Sequence, residues 1–273
     1  MAFLPELCFN GLPPMRSSIE PRNRRRVEPP EWVVYDAPSR CPYLPGRVAR
    51  LPMRFPVRPL TRSEFARRLA EGDRRQGLML YRPSCPSCQA CVPLRIDVSR
   101  FRPSRTQKRI WRRGNRLLRT EISRPTVTEE KVRLYTRHKS ERGLLVSGER
   151  VDALAYEEFL VDTCVDTLEF DYRYQEKLVA VSIVDRSADA LSAVYTYFDP
   201  DFSHLSPGTF SILKQIETCR EWGLRYLYLG YYIRDCAPMR YKANFLPHER
   251  LVEGEWREWG NEGPAAAPRR PGS

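Results

Sequence analysis

Long apolar runs are missing from this sequence of 273 residues. Nowhere does it approach the roughly 18 to 20 consecutive apolar positions that a membrane-spanning helix needs. Its first residues, MAFLPELCFNGLPP, have no basic leading region, and Pro5 and Glu6 interrupt their apolar run. They make a poor secretory signal, so a cytoplasmic protein is expected. Acidic residues are in deficit: 34 Asp and Glu stand against 46 Lys and Arg, a net charge of +12. The excess lies mostly in arginine, whose planar fork suits phosphate or carboxylate, and it points to an anionic partner. Histidine is scarce, with only His138, His204 and His248. No motif ties any of them to a cysteine, which leaves Cys236 without the base that a nucleophilic thiol wants.

What is present suffices for a packed core. Hydrophobic residues make up 41% of the chain, and its 14 glycines bring the apolar share to about 46%, the ordinary globular range. Composition divides the chain further. Residues 1–30 are proline-broken, carry the run Arg24-Arg25-Arg26 and show no hydrophobic period, so they read as a disordered tail; residues 257–273 read the same way. Between them, residues 31–100 suggest a small cysteine-bearing domain, 101–125 a basic helical connector and 126–256 a second domain. Helices are expected at Arg62–Gly72, with Ser63 as cap, and at Ser104–Leu118, with Ser104 as cap. From Glu129 the pattern gives two helices, three consecutive strands near 168–174, 178–185 and 191–198, a helix over Gly208–Trp222 and a strand over Arg225–Leu229. The fold class is α+β, and the meander–helix–strand order resembles a GNAT-type acyltransferase core.

Eight cysteines without a secretory signal argue for reduced thiols and a metal site rather than a disulfide framework. Cys85, Cys88 and Cys91 fall within seven residues, at a spacing that both thiolate zinc sites and iron–sulfur clusters use. Cys41 is the nearest candidate for the fourth ligand, which would make the N-terminal domain metal-stapled. Whether the cofactor is zinc or an iron–sulfur cluster stays open. Cys164 and Cys219, on helix-like segments, read as small core residues.

Between Val98 and Thr120 there is no acidic residue, yet nine arginines and lysines occur. On a helix, Arg105, Arg109, Arg112 and Arg116 share one face, while Ile110, Trp111, Leu117 and Leu118 lie opposite. Like charges at such density repel one another, so this face, with Lys108 and Arg113 beside it, is expected to meet the phosphates of a nucleic acid.

Several stretches are similar to one family. CPYLPGR (Cys41–Arg47), YRPSCPSCQACVPLRI (Tyr81–Ile96), LSAVYTYFDP (Leu191–Pro200), GTFSILKQIE (Gly208–Glu217), YLYLGYYI (Tyr226–Ile233) and MRYKANFLPHE (Met239–Glu249) resemble the aminoacyl-tRNA-protein transferases, both the arginyltransferases and the bacterial aspartate/glutamate leucyltransferases. The resemblance spans roughly 36–251 and is weakest over 141–167 and in both tails. It implies transfer of arginine or leucine from charged tRNA to the N-terminal amine of proteins that begin with Asp or Glu, an N-degron mark for degradation. The basic helix would then hold tRNA. The chemistry asked of the site is modest: an N-terminal amine has a pKa of about 7.7 to 8.0, and alignment with an activated ester can be worth roughly 7 to 11 kcal/mol. Tyr195, Asp199, Tyr231, Tyr232 and Tyr241 are the catalytic candidates within the matching stretches. Arg240 and Lys242, two apart in an extended segment, are the candidates for binding the acceptor carboxylate. CoA is not expected as a donor: the junction His204–Thr209 has one of the two glycines of a pyrophosphate loop, and Pro207 removes a backbone N–H. Two other readings compete, an RNA-binding, metal-site regulatory protein whose GNAT-like domain is inactive and an ordinary GNAT N-acetyltransferase.

Overall fold

The structure is a computed structural model and describes residues 24–25, 27–145, 151–260 and 263–264. Most of both expected tails lies outside the described residues. The N-terminal layer contains β1 (Arg24–Arg25), β2 (Glu31–Tyr35), β3 (Pro38–Arg40), β4 (Val48–Arg50), β5 (Met53–Pro56), α1 (Arg62–Ala70), β6 (Arg74–Gln76) and β7 (Met79–Tyr81). Its antiparallel sheet runs β1-β2-β5-β7-β6, and β3 pairs separately with β4. The cap of α1 is Thr61 rather than the expected Ser63. Thr61 is extended, accepts from the Glu64 N–H at 3.3 Å and receives the Glu64 carboxylate on its own N–H at 2.8 Å, which completes a capping box. Inside this layer Glu31 is fully buried and holds Arg54 at 2.9 Å and Arg68 at 2.6 Å.

The remaining elements are β8 (Val92–Asp97), α2 (Arg105–Leu117), β9 (Leu118–Ser123), α3 (Glu129–Glu141), α4 (Ala153–Tyr156), β10 (Asp166–Tyr174), β11 (Lys177–Arg186), β12 (Ala190–Phe198), α5 (Pro207–Glu221), β13 (Tyr226–Tyr232), β14 (His248–Val252), β15 (Glu255–Gly260) and β16 (Gly263–Pro264). They build one sheet in the order β16-β15-β14-β8-β13-β12-β11-β10-β9. The expected meander, helix and strand are all present. The β12–β13 pair is parallel and joined by α5, whereas the other pairings are antiparallel. Residues Ile110, Leu118, Val179, Phe210, Ile216 and Leu227 belong to the main core between the sheet and α2 and α5.

Packing crosses the boundaries expected from composition. β8, assigned by composition to the cysteine-bearing part, lies in the middle of the large sheet between β13 and β14, with Leu94 and Ile96 fully buried. The basic connector supplies α2 to the main core and β9 to the sheet edge. Phe65, Leu69 and Leu80 of the N-terminal layer share a core with Cys164, which precedes β10, and with Ala190, Tyr226 and Tyr228 of the large sheet. Each side covers apolar surface that the other would leave wet, about 25 cal/mol per Å². The C-terminal hairpin β14–β15 also carries ordered structure to Gly260, beyond the expected boundary at residue 256.

Among the described residues, no helix is long and apolar enough to cross a membrane.

Candidate active site

Parallel strands β12 and β13 stay paired only over Ala190–Ser192 and Tyr226–Tyr228. Beyond that point the register of β13 against β8 shifts at Gly230, which has φ +79°, a conformation that favours glycine. The strands part and leave a cleft between them. Its walls come from Ala193–Thr196 of β12, Leu229–Tyr231 of β13, Arg74–Gln76 and Tyr81 of the N-terminal sheet, and Tyr241 and Lys242.

Four of the seven residues named from the motifs line this cleft: Tyr195, Tyr231, Tyr241 and Lys242. Lys242 is 1% exposed and donates from Nζ to the Tyr231 carbonyl at 2.6 Å. Burial, and after it the Arg74 guanidinium, bring the Lys242 ammonium down to about 7, so near neutral pH it is part ammonium and part free amine. The Tyr231 hydroxyl is committed to the backbone: it donates to the Gly72 carbonyl at 2.9 Å, and burial raises it well above the ordinary phenol range. It ties β13 to the N-terminal layer. Burial raises the Tyr241 hydroxyl as well.

The other three residues lie elsewhere. Tyr232 follows Tyr231 on the strand and points to the opposite face, under the Arg250 guanidinium at 4.1 Å. Asp199 is 1% exposed but outside the cleft lining, paired with Arg137 at 2.8 Å and Lys177 at 2.7 Å, where it caps the 3-10 segment Pro200–Leu205. Arg240 is exposed and donates to the Arg234 carbonyl at 3.1 Å. The expectation that Arg240 and Lys242 point the same way fails because Ala237–Asn244 is a 3-10 helix, not an extended strand. At three residues per turn, positions two apart stand on different sides.

Sequence reasoning missed Arg74. It is 8% exposed, lines the cleft, and donates from Nη1 to the Ser192 Oγ at 2.7 Å and from Nη2 to the Ala193 carbonyl. Its only local signal was an Arg-Arg pair in a short strand.

On α2, Ser104 and Gln107 form a capping box. Arg105, Lys108, Arg109, Arg112 and Arg116 are exposed, and among the described residues none has a carboxylate within ion-pair distance. Arg113 turns instead to the His204 carbonyl. Trp111 packs on Phe210 of α5 with ring centroids 5.8 Å apart, and α5 also lends Ile212 to the cleft wall.

Cys41, Cys85, Cys88 and Cys91 are half-buried. Cys41 Sγ accepts from the Leu44 N–H at 3.4 Å and Cys85 Sγ from the Arg50 N–H at 3.5 Å, as sulfur ligands commonly do. Burial first, then the neighbouring Cys85, Cys41, Cys88 and Cys236, push the Cys91 thiol up to about 12. The four thiols thus share one neighbourhood. Among the described residues, however, no group of three or more His, Cys, Asp or Glu is drawn close enough to hold a metal ion.

A seam opened in a mixed sheet beside a carboxylate-free basic helix suits the transfer of a small group carried on a polyanion, and the protein is of the acyltransferase class. The family profile described as "Arginine-tRNA-protein transferase, C terminus" matches residues 130–252, and its N-terminal counterpart matches 39–109. A protein of Chromobacterium violaceum named aspartate/glutamate leucyltransferase is 40% identical over 222 residues, 81% of this chain and 91% of its own. A Gluconacetobacter diazotrophicus protein of the same name is 38% identical over 88% of this chain and 95% of its own. Among solved structures, FemX aligns over 63% of this chain and 60% of its own, with a TM-score of 0.42 and 12% identity. The C-terminal domain of a putative lysylphosphatidylglycerol synthetase from Agrobacterium fabrum aligns over 54% and 48%, with a TM-score of 0.41 and 15% identity. The chain belongs to the arginine-tRNA-protein transferase family and is an aminoacyltransferase, with aminoacyl-tRNA as donor and protein as acceptor.

Proposed function

We propose that the donor is leucyl-tRNA and the acceptor the N-terminal amine of a protein beginning with Asp or Glu. The observation that carries this reading is the near full-length match to relatives named for that activity, 40% identical over 91% of one relative's length. The cytoplasm, where charged tRNA is made and used, is the corresponding location.

In this reading the tRNA backbone lies along Arg105, Lys108, Arg109, Arg112 and Arg116, and its aminoacyl ester enters the cleft. The acceptor amine attacks the ester carbonyl, the new C–N bond forms, and the C–O bond to the tRNA ribose breaks. The amine sheds one proton to the free-amine form of Lys242, which returns it to the departing ribose oxygen. A base near the operating pH is suited to both halves of that transfer. Tyr241, kept protonated by burial, offers its O–H to the developing oxyanion, and Tyr195 shapes the opposite wall.

The proposal extends to a cofactor: Cys41, Cys85, Cys88 and Cys91, once drawn together, would hold zinc or an iron–sulfur cluster. A sulfur-only donor set and the N–H···S bonds to Cys41 and Cys85 support it. When bound, it would clamp the loop before β8.

The test of the main reading is purified protein with labelled leucyl-tRNA or arginyl-tRNA and peptides beginning with Asp, Glu or Ala. Leucine should move to the Asp and Glu peptides. Transfer of arginine in its place overturns the donor assignment, and equal transfer to the Ala peptide overturns the acceptor assignment.

A further inference from the structure

Four described arginines are less than a tenth exposed: Arg54, Arg68, Arg74 and Arg75. Three have carboxylate partners. Arg54 pairs with Glu31 at 2.9 Å and Asp73 at 2.7 Å, Arg68 with Glu31 at 2.6 Å, and Arg75 with Asp185 at 2.9 Å. Arg74 has none among the described residues, although removing an unpaired charge from water is costly. It lies between Ser192 and Ala193 of β12 and Gly230 of β13. Successive residues of a strand face opposite ways, so Arg75 turns to Asp185 and Arg74 turns into the seam between β12 and β13.

The guanidinium is held in a fixed plane. Ser192 Oγ and the Ala193 carbonyl, both neutral acceptors, take one N–H from each Nη. Against its flat side lies Gly230, where a Cβ would come within 3.3 Å of Cζ, Nε and Nη2, so the bulge in β13 makes room for this side chain. Of five donors, three remain without a protein acceptor among the described residues: Nε–H and the second N–H on each Nη. An oriented, partly unsatisfied fork in a cleft fits a carboxylate, which it can bind through two parallel hydrogen bonds.

We propose that Arg74 receives the side-chain carboxylate of the acceptor's first residue, and so selects Asp and Glu over their amides. This rests on the reading above that acceptors begin with Asp or Glu. Arg74 and Lys242 line the same cleft, so one residue would place its carboxylate on Arg74 and its amine towards Lys242. The Arg74 charge reaches Lys242 and helps hold its proton affinity down, which places the two groups in one electrostatic neighbourhood. A carboxylate on Arg74 cancels part of that effect, so the acceptor that belongs in the cleft also makes Lys242 a better proton acceptor.

The experiment compares kcat/KM for peptides beginning with Asp, Glu and Asn in the full chain and in Arg74→Gln, with anisotropy of the labelled peptides measured in the absence of tRNA. The wild-type protein should prefer Asp over Asn; if it does not, the underlying acceptor reading fails. Given that preference, Arg74→Gln should lower the Asp:Asn ratio of kcat/KM by at least about 30-fold and weaken binding of the Asp peptide, with the KM for charged tRNA little changed. An Asp:Asn ratio that survives intact in Arg74→Gln overturns the proposal. Should Arg74→Gln not fold, Arg74→Lys carries the test. A KM rise confined to the acidic peptides supports the assignment, whereas an equal effect on Asp and Asn peptides overturns it.

Discussion

Gly114 of α2 meets the ring of Phe210 on α5 so closely that a Cβ at position 114 would lie 2.2 Å from it. The basic helix therefore sits on the helix that links β12 to β13, at a distance only glycine permits. Alanine ordinarily stabilises an exposed helix over glycine by about 1 kcal/mol, but here Phe210 must move within a packed core. Gly114→Ala is expected to destabilise the protein by about 1 to 3 kcal/mol in chemical denaturation. An unchanged or raised midpoint would show that α2 rides loosely on α5.

The exposed face of α2 should show itself through salt. Replacing Arg105, Arg109, Arg112 and Arg116 by Gln is expected to weaken tRNA binding and to flatten the log–log salt dependence by about 0.7 to 0.9 per lost phosphate contact. A slope equal to that of the wild type would place tRNA on another surface.

Lys242 gives a prediction with two readouts of opposite sign. Burial holds its pKa near 7 in the fold against 10.5 unfolded, so between these values the unfolded chain binds more protons and stability rises with pH. Lys242→Met removes that penalty, and at pH 7 it should be more stable, on the order of 2 kcal/mol once the lost hydrogen bond to Tyr231 is counted. The gain should fade as pH is raised towards 10. Over the same series kcat should drop by about 100- to 10,000-fold, the usual worth of a proton acceptor. A stable variant with full kcat would remove Lys242 from the proton path.

Asp171 shares Lys131 with Glu169. Burial, then the Glu169 charge, raise its carboxyl from 3.8 to about 6. A raised carboxyl disfavours the ionised form in the fold, so the penalty is absent below about 4 and complete above about 6. Asp171→Asn should therefore gain about 1 to 2 kcal/mol at pH 7.5 and nothing at pH 3.5, measured as unfolding free energy against pH. A gain independent of pH would point to packing instead.

For the cysteines, metal analysis of anaerobically purified protein should find about one zinc or one iron–sulfur chromophore per chain, lost in Cys88→Ser together with part of the thermal stability. Metal-free protein with an unaltered melting temperature in Cys88→Ser would dissolve the site.

Local pattern was enough for several elements. The Ser104 cap and the opposed faces of α2 follow from helical spacing, and the meander β10–β12 from runs and turns, because these signals are complete within a dozen residues. Thr61 in place of Ser63 shows the limit: both hydroxyls are within reach of the helix start, and backbone conformation chose the one with Glu64 three residues on.

By itself the sequence determined the fold class, the family through its motif stretches, the acid-free face of α2 and the polar residues of MRYKANF, two of which, Tyr241 and Lys242, reach the cleft. Only the tertiary structure decided that β8 is a middle strand of the large sheet, that Asp199 is bound to Arg137 and Lys177 rather than to a substrate, that a 3-10 turn sends Arg240 outward, and that Arg74 lies against Ser192 and Ala193. The reason is separation along the chain: periodicity tells which face of a segment is apolar, but a strand's neighbours and a charge's partner come from segments a hundred residues away, and those are fixed only when the whole sheet closes.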